Sequence, residues 1–398
     1  MLSWDHRPTL STMGRERAWV EINHSHLAHN VQAIQALLAP GTDLMAVVKA
    51  DAYGHGAVTI AQTALQAGAT WLGVATIPEG IELREAGIQA PILLLGATNT
   101  IEQVRAIAHW QLQPTLCTEK QALVFAEVMD SATQPLPVHI NVDTGMSRLG
   151  VPWQQALPLA QHIQRSPHLH LASLYSHFAT ADDSDLQTLH CQRDRFQQVI
   201  QTLGDHGIVP PMLHLANSAG TLVESSLHYN LVRVGLAIYG LYPAPHFRAS
   251  IDLKPVLQVK ARVTQVKTLP PHTGVSYGHR FVTQRETRLA VVGIGYADGV
   301  PRLLSNRMNV LLRGQVVPQI GAITMDQLML DVTDLAEVHE GDVVTLLGQD
   351  QDASISADDW ADTLGTISWE ILCGFKHRLP RLSLSSPVTA TANPLTLS

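Results

Sequence analysis

Leu44-Met45-Ala46-Val47-Val48-Lys49-Ala50-Asp51-Ala52-Tyr53-Gly54-His55-Gly56 opens as a buried strand and ends at the mouth of a helix. The run 44–48 is apolar without a break, the pattern of a strand covered on both faces. Lys49 stands at its end, Tyr53 follows four residues later, and Gly54-His55-Gly56 leads into a segment of helical period. An amine at the end of an apolar strand is partly desolvated, which favours its neutral form. That form takes a proton or attacks a carbonyl, as Schiff-base formation with an aldehyde cofactor requires. The glycines let backbone N–H groups approach an anion at a helix start. For a lone lysine the ordinary alternative is a side chain snorkelling to water beside a turn.

Outward from this stretch the same unit repeats. Apolar runs at 43–49, 71–76, 91–96, 112–117, 138–144, 169–177, 212–218 and 231–239 read as strands. Segments of helical period lie among them at 25–38, 57–67, 78–86, 100–110, 119–129, 153–165, 185–203 and near 219–226. Eight strands alternating with eight helices over residues 18–250 is the arithmetic of an α/β (β/α)8 barrel. A doubly wound sheet also alternates. The polar residues favour the barrel, because Lys49, Arg148, His177 and Ser218 stand at or just beyond the C-terminal ends of different strands, where a barrel gathers its site.

Near residue 251 the pattern changes. VLQVKARVTQV (256–266) alternates like a half-buried strand, and further short runs follow between Gly, Pro and Asp turns. This reads as a predominantly antiparallel β domain over 251–384, with a helix or two within 356–375. Residues 1–17 read as a flexible extension and 385–398 as a loose tail.

Composition narrows the function classes. At 398 residues, 45% apolar and 15% charged, the chain suits two cores. A net charge of −8 and the lack of a dense Lys/Arg run argue against nucleic-acid or anionic-membrane partners. Three dispersed cysteines fit a reducing compartment, and no stretch has signal-peptide or membrane-spanning character, so a cytoplasmic protein is expected. The 20 histidines show no metal-binding spacing.

Taken singly, most chemistry-bearing positions also have plain structural readings. Arg148, in VDTGMSRLG (142–150), suits bidentate clamping of a carboxylate, or pairs with Asp143. His177, in SHFATADD (176–183), reads equally as a core histidine, and Asp182 as a helix cap. Ser218, in HLANSAGTL (214–222), is an N-cap or a phosphate ligand. Tyr277, in GVSYGHRF (274–281), and Tyr296, in GIGYADGVPR (293–302), read as packing residues beside glycines. Met325, in GAITMDQLMLDV (321–332), turns a backbone N–H toward a carboxylate or simply belongs to a turn. Arg233, inside LVRVGLAIYGLYP (231–243), is hardest to explain by packing, since arginine is seldom buried without a partner. Gly235 beside it permits close backbone approach.

Together and in this order, these segments resemble those of the alanine racemases. VVKADAYGHG is similar to that family's pyridoxal-phosphate lysine motif, and the likeness runs from about residue 16 to about 382. The resemblance implies a barrel followed by a β domain, a head-to-tail homodimer with shared active sites, and interconversion of L- and D-alanine. It implies pyridoxal phosphate carried on Lys49, with Lys49 the base for the D-alanine proton. Tyr277 of the partner subunit would be the base for the L-alanine proton. Tyr53, Ser218, Gly235 and Leu236 would hold the phosphate. Arg233 would face the pyridine nitrogen with His177 behind it. Arg148 and the Met325 N–H would meet the substrate carboxylate, and Tyr296 would line the entrance. The use implied is D-alanine for peptidoglycan.

Three positions depart from the family pattern. Asn141 stands where many relatives carry a lysine, so a neutral amide would orient Arg148. Ala322 replaces an arginine of the entrance corridor in some relatives, implying a wider or less charged gate. His377 aligns loosely with a tyrosine that reaches the phosphate. Rival readings are a racemase of serine, lysine or several amino acids, a decarboxylase, and a pyridoxal-phosphate carrier. Arg233 argues against the decarboxylase, which would use an acidic partner at the ring nitrogen. The segment 251–382 argues against the carrier.

Overall fold

The computed structural model describes residues 17–130, 133–375 and 377–384. The expected extension 1–17, Arg17 apart, and the tail 385–398 lie outside these residues. The chain forms two compact units, Leu27–Pro255 and a second that joins Val256 onward to the segment ending at His26.

In the first unit parallel strands follow in the order Asp43–Val47, Trp71–Val74, Ile92–Ala97, Gln113–Leu116, Leu136–Asp143, Leu169–Tyr175 and Met212–His214, and Leu231–Val234 pairs back onto the first. Between the last two strands the Arg233 N–H donates to the Ala216 carbonyl (3.0 Å) and the Asn230 N–H to that of Leu213 (3.1 Å). The result is a nearly closed (β/α)8 barrel. Helix starts among the strands are specified locally. Thr76 with Glu79, Thr100 with Gln103 and Thr118 with Gln121 form reciprocal capping boxes. Met45, Leu93, Tyr175 and Leu231 pack together, with Trp71, Leu95 and Met212 against them.

Several strands stop earlier than their apolar runs. The first ends at Val47, the seventh at His214 and the eighth at Val234, where a 3-10 turn Leu236–Tyr239 replaces the expected continuation. Leu169–Tyr175 also ends before His177. Backbone beyond a strand end is free to turn, so Lys49, His177, Gly235 and Leu236 lie on turns at the C-terminal end of the barrel and Ser218 opens the short helix Ser218–Val223 there, while Arg233 remains inside its strand.

The second unit is a mostly antiparallel sheet built on the long strand Leu257–Leu269. That strand pairs antiparallel with Ala18–Asn23, Thr287–Val292 and Val343–Asp350. Asn309–Leu312 and Gln315–Pro318 form a hairpin, and Leu328–Asp331 extends Thr287–Val292. Arg381–Leu384 lies parallel to Ala18–Asn23. Helices Ala357–Leu364 and Ser368–Gly374 complete the unit.

Candidate active site

The turn after Val48 carries the lysine. From Ala50 to Tyr53 the backbone is left-handed at consecutive non-glycine residues, with φ of 54°, 53°, 51° and 55°. Such a conformation costs roughly 1–2 kcal/mol per L-residue, so tertiary bonds must hold it. Glu79 supplies one anchor: its carboxylate accepts from the N–H groups of Ala50 (2.8 Å), Ala75 (2.7 Å) and Thr76 (3.0 Å). Asp51 accepts from the Ala57 N–H (2.8 Å) at the start of the next helix. Buried His55 places Nδ1 2.9 and 3.0 Å from the carbonyls of Ala52 and Tyr53. Both are acceptors, so Nδ1 carries the proton. The Tyr239 hydroxyl donates to the Val47 carbonyl (2.9 Å), and its ring lies 4.9 Å from that of Tyr53.

This turn aims the Tyr53 phenol at the Leu231–Val234 strand end. A Cβ on Gly235 would lie 2.6 Å from the Tyr53 oxygen, so the approach requires glycine there. Ser218 faces the same point. It is not a helix cap, because Asn217 fills that position and accepts from the Gly220 N–H (2.9 Å). The Ser218 oxygen instead accepts from the Gly235 N–H (3.0 Å) and, at 3.5 Å, that of Ala237. Its own proton therefore remains available to an anion. Two hydroxyls converging on a glycine that a Cβ would crowd is a donor set suited to a phosphate.

Arg233 is 3% exposed. One terminal nitrogen donates to His214 Nδ1 (3.1 Å) and the His214 carbonyl (3.2 Å). The other reaches the Ser176 carbonyl (2.7 Å), His177 Nδ1 (3.2 Å) and the Leu215 carbonyl (3.3 Å). The guanidinium lies 5.1 Å from the centre of the Tyr175 ring. Nε–H has no partner among the described residues and is the donor left available to a ligand. Burial pushes the arginine down to about 10, still fully cationic at neutral pH. Desolvation, then the charges of Arg233, Arg148 and Lys49, push His177 down to about 3, so its Nδ1 is an acceptor.

Arg148 is exposed in the loop after Leu136–Asp143 and makes no ion pair among the described residues. Asp143 is not its partner; that carboxylate accepts from the Gly145 (2.9 Å) and Ser147 (3.0 Å) N–H groups and shapes the loop. Asn141 is buried and its side chain makes no hydrogen bond to Arg148. Gln192 ties this loop to the next by donating to Thr144 Oγ1 (3.2 Å) and the His177 carbonyl (3.0 Å). Asp182 does not cap the following helix; Asp185 accepts from the Gln187 N–H (2.9 Å) instead.

In the second unit Tyr277 is 72%, Met325 53% and Tyr296 42% exposed. Tyr296 and Met325 share one platform. The Tyr296 N–H donates to the Thr324 carbonyl (2.9 Å) and that of Ala297 to the Met325 carbonyl (3.1 Å). Fully buried Asp298 fixes the loop, accepting two bonds from Arg17 (2.7 and 2.6 Å) and one from the Gly295 N–H (2.9 Å). The Met325 N–H has no partner among the described residues. Ala322 is fully buried and its carbonyl accepts from the Ser276 hydroxyl (2.8 Å), so its methyl group does not line open space in this unit. His377 is exposed.

Sequence reasoning passed over His55, Glu79's bond to Ala50, Tyr239, Tyr175 and His214. His214 lies in the quoted HLANSAGTL segment, and an inward histidine on the strand just before that of a buried arginine was the available signal. Among the described residues no group of three or more His, Cys, Asp or Glu is placed to hold a metal ion. No helix among them is long and apolar enough to cross a membrane.

Comparison with known proteins agrees with this geometry. Residues 22–243 match the family model for the alanine racemase N-terminal domain, and residues 256–383 that for the C-terminal domain. The alanine racemase of Nostoc sp. is 63% identical over 371 residues, covering 93% of this chain and 96% of that protein. That of Synechocystis sp. is 61% identical over 370 residues, covering 93% and 100%. The structure of the Bacillus anthracis alanine racemase with bound L-Ala-P superposes with a TM-score of 0.88 at 35% identity, covering 93% of this chain and 95% of that one. The chain belongs to the alanine racemase family.

Proposed function

We propose that Lys49 and Tyr277 are the two proton-transferring groups with which this chain interconverts L-alanine and D-alanine on pyridoxal phosphate. Bound at the barrel mouth, the cofactor supplies an electron-withdrawing ring that acidifies the substrate Cα–H. Inverting a stereocentre then needs one base on each face. Lys49 would hold the cofactor, and its amine would take or return the D-alanine proton. Tyr277 of the partner subunit serves the L-alanine proton on the other face. The exposure of Tyr277, Met325 and Tyr296 on the second unit supports a head-to-tail homodimer that covers them.

The Tyr53 and Ser218 hydroxyls with the Gly235 and Leu236 backbone hold the phosphate, and His377 is a further contact to it. Arg233 offers Nε–H to the ring nitrogen with His177 behind it. Arg148, free of any ion pair among the described residues, takes the substrate carboxylate together with the Met325 N–H, and Tyr296 lines the entrance. Cysteine usage supports a cytoplasmic location, and D-alanine for peptidoglycan is the use that fits.

Arg233 carries this reading: a buried arginine with one donor left over suits a ring nitrogen that remains unprotonated. Chiral analysis of the loaded protein incubated with L-alanine, L-serine or L-lysine tests it. D-alanine forming fastest, toward an equal mixture, is the expected result. D-serine or D-lysine dominating moves the substrate, and no D-product refutes racemisation. Sedimentation showing a fully active monomer would refute the shared site.

A further inference from the structure

One sector of the barrel interior is polar where such barrels are usually filled by branched apolar side chains. It contains Gln113, His139, Ser173 and His214, contributed by four successive strands. His214 Nε2 lies 2.8 Å from the Ser173 hydroxyl, which lies 2.6 Å from His139 Nδ1. His139 Nε2 lies 2.7 Å from Gln113 Oε1. The pairing of the two central strands slips by one residue between Val138–Leu171 and His139–Ser173. Such a bulge re-aims a side chain, here Ser173 toward His139. Gln113 opens its strand, so it lies at the N-terminal end of the barrel, opposite the site.

The chain has one direction. A guanidinium only donates, so His214 Nδ1 must be the acceptor and its proton must sit on Nε2. Nε2–H donates to the Ser173 oxygen, and the Ser173 hydroxyl in turn donates its hydrogen bond to His139 Nδ1. His139 is then protonated on Nε2 and donates to Gln113, which ends the chain on an amide oxygen. Burial holds both imidazoles neutral: His139 is pushed down to about 3, with His170 adding to the effect, and His214 is also pushed down, with Arg233 and His139 adding to it. Tyr175 stacks on the His214 ring at 4.7 Å and fixes its plane; the Tyr175 hydroxyl is bonded to Thr115 at 2.7 Å.

We propose that Ser173, His139 and Gln113 are positioning residues for Arg233, a proton-ordered chain that locks His214 in its Nε2–H tautomer and thereby keeps a lone pair facing the guanidinium. With the other terminal nitrogen spent on carbonyls and His177, that lone pair settles the rotation that leaves Nε–H free. Were the His214 proton on Nδ1, it would oppose the guanidinium and turn Arg233 away from the cofactor ring. This consequence for catalysis rests on the reading of Arg233 as the ring-nitrogen residue; the tautomers themselves do not.

The test uses holoenzyme labelled with 15N-histidine and substituted at the far end of the chain, where Gln113 is only half-buried and tolerates change. Gln113→Met removes the terminal acceptor, while Gln113→Glu keeps an acceptor oxygen. Long-range 1H–15N spectra should show His214 and His139 of the unsubstituted protein as neutral Nε2–H tautomers. Gln113→Met should shift both sets of ring signals and lower kcat about five- to tenfold with KM little changed, and Gln113→Glu should restore kcat. An Nδ1–H or charged His214 in the unsubstituted protein overturns the proposal. So does Gln113→Met with unchanged His214 signals and unchanged kcat. Correct tautomers in a protein that binds no pyridoxal phosphate would uphold the ordered chain and refute the functional reading instead.

Discussion

Gly235→Ala is a one-carbon test of the phosphate cradle. Gly235 has φ −105° and ψ −91°, outside the left-handed region, and the effect the substitution tests is the close contact its new Cβ would make. The new Cβ would sit 2.6 Å from the Tyr53 oxygen and 3.2 Å from its Cζ, and the phenol must move. Tyr53 is 8% exposed and lies against Tyr239, which leaves it little room. Overpacking of this kind costs about 1–3 kcal/mol. A displaced phenol would forfeit its proposed bond to the phosphate, about 1.5–3 kcal/mol for a bond to a charged group, or about 10- to 150-fold in affinity. The assay is titration of cofactor-free protein with pyridoxal phosphate, followed by visible absorption and equilibrium dialysis. Tyr53→Phe should weaken binding comparably by removing the same bond, and it also removes the atom that clashes. The double variant should therefore bind no worse than Tyr53→Phe alone. Losses that simply add, or a Gly235→Ala protein with normal affinity, would refute the convergence of Tyr53 and Gly235 on one phosphate.

Lys49→Ala should abolish the visible absorption of lysine-bound cofactor; a borohydride-reducible adduct surviving on the purified variant would remove Lys49 from its role. Tyr277→Phe should retain cofactor and lose racemisation, and near-normal turnover in both directions would return Tyr277 to a packing role. His139 is held neutral down to about 3, against an ordinary value of 6.5, so between these limits the unfolded chain binds the extra proton. Stability should thus be full above 6.5 and fall as the pH drops through that window, by at most about 1.4 kcal/mol per pH unit for each such imidazole. Urea midpoints at pH 7 and pH 5 should separate less in His139→Gln than in the parent protein, and an identical separation would refute the assignment.

The barrel was legible because its apolar runs and helical segments alternate without a break from residue 43 to 234, and capping pairs such as Thr118 and Gln121 mark helix starts in the sequence itself. Ala18–Asn23 was not legible as a strand of the other unit. Its partner, Leu257–Leu269, lies more than 200 residues away, and pairing across that separation leaves no local signal. The left-handed turn was hidden for a different reason. Lys-Ala-Asp-Ala-Tyr has no glycine to announce positive φ and reads as ordinary right-handed helix. The conformation is imposed by Glu79, Asp51 and His55, whose role appears only once the chain has folded. Gly235 and Ser218 were legible as residue types, whereas their convergence depends on Tyr53 being carried there by that turn.

Arg233 shows what the buried polar sector accomplishes. Among the described residues no carboxylate is paired with it, an arrangement that would ordinarily be costly for a buried cation. Carbonyl oxygens, two imidazole lone pairs and the Tyr175 ring take the place of an anion. A carboxylate here would satisfy the charge more simply, but with Arg233 at the ring nitrogen as proposed it would also sit near that nitrogen and favour its protonation. Neutral acceptors avoid that. They keep the guanidinium protonated and leave Nε–H as a donor that surrenders no proton. A ring nitrogen facing such a donor remains unprotonated and withdraws electrons less strongly than one paired with an acid. Weak withdrawal would suit rapid return of the proton to the substrate Cα on either face and would disfavour slower side reactions such as transamination. On the proposed role of Arg233 at the ring nitrogen, the choice of imidazole and carbonyl over carboxylate around it is therefore a choice of reaction, made by residues that do not touch the substrate.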